Sequence, residues 1–338
     1  MIVCKPIEKP EEMLRLRMLG CFVFAIGSAV AQPSEPLHLV GSVSMPKVEG
    51  RIDHMSIDVK EQRLFVAALG NNTLEVIDVK NEKRIHTITG LHEPQGVAYT
   101  PDANRIYVAN GSDGSLRIFD GSSFQLLKTI PYGDDADNVR YDAQGDRIWV
   151  GYGSGVLGIV SRDGTKLGEV KLDAHPESFQ LETKGPRIFV NLPGSQKIAV
   201  VDRKAGKVIA SWNTGGPQAN YPMAFDEADR RLFVVCRNPA RMVVLDTSVG
   251  KVIATVSVVG DSDDVFYDAA RKRIYATGGE GAISVFQQQD PDHYTEIAKI
   301  ATVKGARTGY FSSDLGRLFV AARRDGSHPA EIRIYQTQ

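Results

Sequence analysis

This sequence predicts an all-β fold: a seven-bladed β-propeller, with four antiparallel strands per blade and the ring closed by an N-terminal strand. Three observations carry that expectation. An arginine followed by an apolar triplet recurs seven times along the chain. The intervals between the copies contain no stretch with the 3.6-residue apolar period of a helix. The last repeat is one strand short, and one strand precedes the first repeat.

The seven copies are Arg63-Leu64-Phe65-Val66, Arg105-Ile106-Tyr107-Val108, Arg147-Ile148-Trp149-Val150, Arg187-Ile188-Phe189-Val190, Arg231-Leu232-Phe233-Val234, Arg273-Ile274-Tyr275-Ala276 and Arg317-Leu318-Phe319-Val320. Their spacings are 42, 42, 40, 44, 42 and 44 residues. Five residues before each arginine stands a turn-forming or acidic residue: Asp58, Thr100, Asp142, Glu182, Asp226, Asp268 and Ser312. A period near 42 without helices is the length of four short strands and their turns, which is a propeller blade. A chain of 338 residues approaches the limit for one ordinary core. A repeat architecture avoids the limit, because each unit brings its own layer of core.

The second unit shows the division into strands a to d most clearly. Gly96 to Tyr99 reads as strand a, followed by a Pro101-Asp102-Ala103-Asn104 turn. Arg105 to Ala109 is strand b, and Asn110 to Gly114 is a loop. Ser115 to Asp120 alternates polar and apolar as strand c, and Gln125 to Ile130 is strand d. Turns beginning at Asp202 and Asp246 fit c–d hairpins in other units. The last unit ends with Glu331-Ile332-Arg333-Ile334-Tyr335 as its strand c. Residues 37–46 then supply its outer strand, closing the ring and removing an open edge.

At Arg105-Ile106-Tyr107-Val108-Ala109-Asn110 the chain resembles the YVTN-type β-propeller repeat family. Those repeats carry a Tyr-Val-Thr-Asn strand b after a Pro-Asp-Gly turn. Here Pro101-Asp102-Ala103 stands in the turn, and Ala109 replaces the threonine. The resemblance implies a seven-bladed propeller, usually exported in bacteria. It implies no single activity, since relatives at fold level include lactonases, quinoprotein subunits and binding scaffolds.

Two regions are expected: 1–31, an N-terminal extension and secretory signal peptide, and 32–338, the propeller. Arg15 and Arg17 form a positive n-region, and Leu19 to Ala31 is apolar or small and too short to span a bilayer. Ala29-Val30-Ala31 is a small-x-small cleavage site, predicting a mature chain from Gln32 in the periplasm or outside the cell. Residues 1–12 precede a second methionine, Met13, and read as an over-extended start. Cys21 lies inside the apolar run rather than at a lipidation site. Cleavage would leave Cys236 as the one thiol, so no internal disulfide is expected. Its setting, Leu232 to Val235, marks it as a buried small hydrophobe.

Several function classes are disfavoured. Charged residues make up 24% of the chain with a formal net charge of −1, so no global field recruits nucleic acid. Haem-attachment and zinc-type Cys/His spacings are missing from the sequence. No membrane span is expected in the mature chain, and a monomer is expected. The repeated arginines are not read as a binding ring. Fifteen residues after four of them stand Asp78, Asp120, Asp202 and Asp246, which suits structural Arg63/Asp78, Arg105/Asp120, Arg187/Asp202 and Arg231/Asp246 pairs.

The candidate site follows from topology. Strand a lines the central channel, and its entry lies on the face carrying the d–a and b–c loops. The entering pairs are Asp53-His54, Gln95-Gly96, Asp137-Asn138, Glu177-Ser178, Tyr221-Pro222, Asp263-Asp264 and Arg307-Thr308. Glu93, Asp134, Asp135, His175 and Asp261 stand just outside. Arg237, Arg241, Arg323 and Arg324 on b–c loops add positive charge, suiting a mixed-charge ligand. The ligand-binding set is therefore Asp53, His54, Glu93, Gln95, Asp135, Asp137, Asn138, His175, Glu177, Tyr221, Asp263, Asp264 and Arg307.

The expected function is non-catalytic: an exported propeller binding a small molecule or an envelope protein at this mouth, with no cofactor. The alternative is a lactonase-like hydrolase, with His54 or Glu177 as base and Arg307 steadying an oxyanion. A Ca²⁺ site on Asp135, Asp137, Asp263 and Asp264 is a further expectation. His54 and His175, three blades apart, are not expected to share a metal.

Overall fold

The computed structural model describes residues 1–6 and 35–338. Residues 1–6 carry neither helix nor strand. The proposed n-region, apolar run and cleavage site lie outside the described residues. From Leu37 onward the chain forms seven four-stranded antiparallel sheets. Helix among the described residues amounts to two single 3₁₀ turns.

Blade 2 consists of Pro94–Thr100, Arg105–Asn110, Ser115–Asp120 and Leu126–Pro131. In each blade the second strand starts at the repeated arginine, and the apolar triplet after it is buried. This strand lies mid-sheet between two neighbouring blades, so both its faces are covered. The triplet is therefore continuously apolar where an ordinary half-buried strand would alternate. The interblade layers show this directly: Tyr107 and Ile118 of blade 2 pack with Val139, Ile148 and Val150 of blade 3.

The last blade holds Gly309–Ser312, Arg317–Ala322 and Ala330–Thr337, and Leu37–Met45 pairs antiparallel with Ala330–Thr337 as its fourth strand. The pairing runs from Leu37 opposite Thr337 to Met45 opposite Ala330, with a bulge between Leu39 and Gly41. Val43 and Met45 are buried in the layer shared with Leu64 and Val66 of blade 1 and Ile332 of blade 7. The two chain ends of the propeller thus share one sheet.

The arginine repeat differs in detail from the expected pairs. Arg63 does stand opposite Asp78 in the backbone register, and the other three pairs align likewise. Arg105 and Asp120 meet at 2.8 Å, and Arg231 and Asp246 at 3.6 Å. Arg63 instead binds Asp58, at 2.6 Å, and Arg187 binds Glu182, at 2.5 Å. Asp58 ends its strand a and Glu182 follows its own, and both are buried, so they need a cation more than the half-buried acids of strand c do. Asp78 and Asp202 accept backbone N–H groups in their own turns.

The arginines also tie blades together. Arg63 donates to the Gly121 carbonyl of blade 2, Arg187 to Thr247 of blade 5, Arg231 to Pro291 of blade 6 and Arg273 to the C-terminal Gln338 of blade 7. Each ring joint so made is a charge-assisted hydrogen bond. A separate buried pair, Arg203 with Asp142 at 2.6 Å, joins blades 4 and 3.

Candidate functional site

Because every strand a enters at the same face, the predicted entry residues converge at one mouth of the channel. There Asp53, His54, Gln95, Asp135, Asp137, His175, Glu177, Tyr221, Asp263 and Arg307 line one chamber of about 240 Å³, together with Arg51 and Arg237. Close backbone approach helps to build it. A Cβ on Gly96 would lie 2.1 Å from the Asp137 carbonyl oxygen, so only glycine lets blade 2 press against the entry of blade 3.

One wall is a neutralised ion-pair network. Arg51 holds Asp53 at 2.5 Å. Arg307 Nε lies 2.7 Å from Asp263 and its Nη1 lies 3.0 Å from Asp261. Arg237 binds the other oxygen of Asp263 and the Ser262 carbonyl, with its guanidinium 3.9 Å from the centre of the Tyr221 ring. Burial, then the neighbouring Asp53, pushes Asp263 up to about 6 against the pull of the two arginines.

The opposite wall carries carboxylates that no arginine neutralises. Asp135 accepts a hydrogen bond from Gln95 at 3.0 Å, and burial raises its pKa. His175 Nδ1 donates to the Gly153 carbonyl at 2.6 Å, leaving Nε2 3.7 Å from Asp137. Burial opposes charge on this imidazole, but Asp137, the Gly153 carbonyl and Asp135 outweigh it and raise His175 to about 9. Glu177 has no side-chain hydrogen bond or ion pair among the described residues, and burial together with Asp137 pushes it up to about 8. One ligand atom each from Asp137, His175 and Glu177 lie within 4.8 Å of one another.

The floor is His54. Its Nδ1 lies 3.4 Å from Asp264, and its Nε2 3.7 Å from Asp53 and 3.4 Å from the Asn138 amide. Burial disfavours the imidazolium, yet Asp264, Asp53 and Asp137 raise His54 to about 10. Below it a second space of about 260 Å³ is bounded by Asp264, Arg140, Gln180, Phe266 and Tyr310 among others. Burial lowers the pKa of Arg140, which stands over Phe179.

The positions of several residues differ from the expected arrangement. Glu93 is exposed and does not line the chamber. It sits in a turn at φ 52°, and its backbone N–H bonds to Asn72. Asn138 is buried behind the chamber, touching His54 and Asp137. Asp264 faces the floor and accepts the Gly309 N–H at 2.9 Å, so it fixes blade 6 to blade 7. Arg307 pairs with Asp261 and Asp263. The four aspartates expected to hold Ca²⁺ are divided, Asp263 to the arginines and Asp264 to His54, while the converging group is Asp137, His175 and Glu177. His54 is not part of that group.

Arg51 and Arg140 were not singled out from sequence. Arg51 lies two residues before Asp53 in the same entry. Arg140 lies two after Asn138 on strand a, so the strand period puts both on one side. A charge at the position filled by Ala98 in blade 2 and Gln180 in blade 4 is the signal that marks Arg140.

No protein-family model matches this chain, and no curated protein matches it either. Solved structures do. A chain of the Kuenenia stuttgartiensis hydrazine synthase superposes with a TM-score of 0.69 at 15% identity, covering 81% of this chain and 94% of that one. A chain of a mitotic checkpoint complex superposes with a TM-score of 0.75 at 13% identity, covering 96% and 99%. At these identities the likeness is one of fold: the seven-bladed propeller.

Proposed function

We propose that this propeller is a non-catalytic binding protein whose ligand is a small, polar molecule of mixed charge held in the chamber at the channel mouth. The carrying observation is the confinement of the predicted residues around about 240 Å³ of polar space. That space is smaller than the 300–1,000 Å³ of drug-sized ligand sites, and an enclosed chamber favours a compact metabolite over an envelope protein, which would bury a broad, roughly 800 Å² surface on each partner. The paired arginines can exchange Asp261 or Asp263 for an anionic group of the ligand. Asp135, Asp137 and Glu177 offer acceptors to its cationic or hydroxyl groups.

The hydrolase alternative loses two of its three parts. His54 is enclosed by acids that keep it charged and unable to take a proton at neutral pH. Arg307 is already bound to two carboxylates. Export with cleavage near Ala31–Gln32, and kinship with YVTN-type propellers, belong to the same proposal. A processed chain beginning at Gln32 supports export, and an unprocessed one overturns it.

The test is a thermal-shift screen of small zwitterions and hydroxy acids, because a ligand selective for the folded state must raise its stability. Asp135→Asn and Arg307→Gln, on opposite walls, are expected to weaken any hit at least tenfold. Hits that bind both variants normally, or no hit at all beside capture of a protein partner, would sink the proposal.

A further inference from the structure

The carboxylates opposite the arginines are arranged for a different guest. We propose that Asp137, His175 and Glu177 form a site for one divalent transition-metal ion, bound through one imidazole nitrogen and two carboxylates, with its remaining positions open to the chamber. The inference goes beyond the binding of an organic ligand and does not depend on it.

Four observations support it. The three donor atoms already lie within 4.8 Å of one another, and His175 Nε2 lies 3.7 Å from the nearer Asp137 oxygen. With bonds of ~2.0–2.2 Å, two ligands of one ion stand roughly 3–3.5 Å apart, so only a small inward movement is needed. The imidazole is oriented for the task. Its Nδ1 donates to the Gly153 carbonyl at 2.6 Å, with Asp135 at 3.8 Å from the same nitrogen. Metal-binding histidines are characteristically held in this way, through a carbonyl or carboxylate on the far nitrogen.

Glu177 is a chamber carboxyl with no protein partner among the described residues, while the acids across the chamber each have an arginine. Asn138, 1% exposed, ends between Asp137 and His54. Its Oδ1 is a buried acceptor without a hydrogen-bond partner among the described residues. Among the described residues no arginine pairs with any of the three ligands, and an ion bound there would take the place of the proton that Asp137 and Asp135 hold on His175.

The donor set selects the class of ion. Ca²⁺ takes six to eight oxygens in flexible shells, whereas an imidazole with two carboxylates suits Zn²⁺, Fe²⁺, Ni²⁺ or Co²⁺. Placement at the chamber wall leaves open positions to water or to a carboxylate or hydroxyl of a small molecule.

The experiment is calorimetric titration of the chelator-treated full chain with Zn²⁺, Co²⁺ and Ca²⁺. One Zn²⁺ per chain is expected, with at least tenfold preference over Ca²⁺. Glu177→Gln and His175→Gln should each weaken Zn²⁺ binding at least tenfold, and His175→Gln should change the visible spectrum of the Co²⁺ form. Removing one crowded carboxylate relieves repulsion, so Glu177→Gln is expected to be at least as thermally stable as the parent without metal, separating lost ligation from misfolding. His293→Gln, which removes an exposed histidine beside Asp290, should leave the affinity unchanged. Ca²⁺ preference, or Zn²⁺ binding indifferent to Glu177→Gln and His175→Gln, overturns the site. The organic-ligand screen repeated in chelator is independent: hits there with no metal binding refute this inference alone.

Discussion

Replacing Asp264 with asparagine should destabilise the propeller in a pH-dependent way. Asp264 lies 3.4 Å from His54 Nδ1 and accepts the Gly309 N–H through its other oxygen. Asparagine keeps an acceptor for Gly309 but removes the charge facing His54. Asp53 remains beside Nε2, the charge of Asp137 still acts on the ring, and Arg140 lines the space below. The folded pKa of His54, raised from 6.5 to about 10, means that the folded state holds this proton more tightly than the unfolded chain. Its contribution is full below about pH 6.5 and is lost as pH rises toward 10. At 1.36 kcal/mol per unit the ceiling is about 5 kcal/mol. Because Asp53 and Asp137 retain part of it, Asp264→Asn should cost about 2–4 kcal/mol at pH 6 and under about 1 kcal/mol near pH 9.5. Urea unfolding of both proteins at pH 6, 7.5 and 9.5 measures this, with the His54 ring proton followed by NMR. An equal loss at all three pH values, or a His54 titrating near 6.5 in the parent, would refute the reasoning.

Arg63→Met leaves the nearly buried Asp58 without its cation and cuts the tie to Gly121, so a loss of about 3–5 kcal/mol is expected by urea unfolding. Adding Asp58→Asn should recover part of it, and no recovery would mean that the pair is not the cause. Met45→Ala empties a fully buried position of the closing strand and should cost about 2–5 kcal/mol; a change within error would show that this strand does not seal the ring. Cys236 is buried, and burial raises its thiol to about 12. Peptide mapping after thiol labelling should therefore find Cys236 modified only once urea unfolds the chain.

The architecture was legible because a blade's second strand is covered on both faces. That forces an uninterrupted apolar triplet after each arginine, from Leu64-Phe65-Val66 to Leu318-Phe319-Val320, and the spacing counts the blades. The mouth was legible because topology alone puts all seven strand entries on one face. Partner choice was not. Asp263 and Asp264 are adjacent, and a register shift between Ser262 and Asp264 turns both toward the channel, one to the arginines and the other to His54; no local pattern states that bulge. Arg63 has an acid opposite it on both neighbouring strands, and the burial of Asp58 decides between them. Glu177 gave no hint in sequence that it would be left without a partner, because that depends on where Arg237 and Arg307 reach from two other blades.

The most direct measurement is anomalous diffraction at the zinc absorption edge from crystals of the protein grown with one equivalent of Zn²⁺. The account predicts one strong peak in the mouth chamber, ~2.0–2.2 Å from His175 Nε2 and from an oxygen of both Asp137 and Glu177, with His175 Nδ1 still on the Gly153 carbonyl. A chamber without a peak, or zinc found only at a surface pair such as His293 and Asp290, would contradict it.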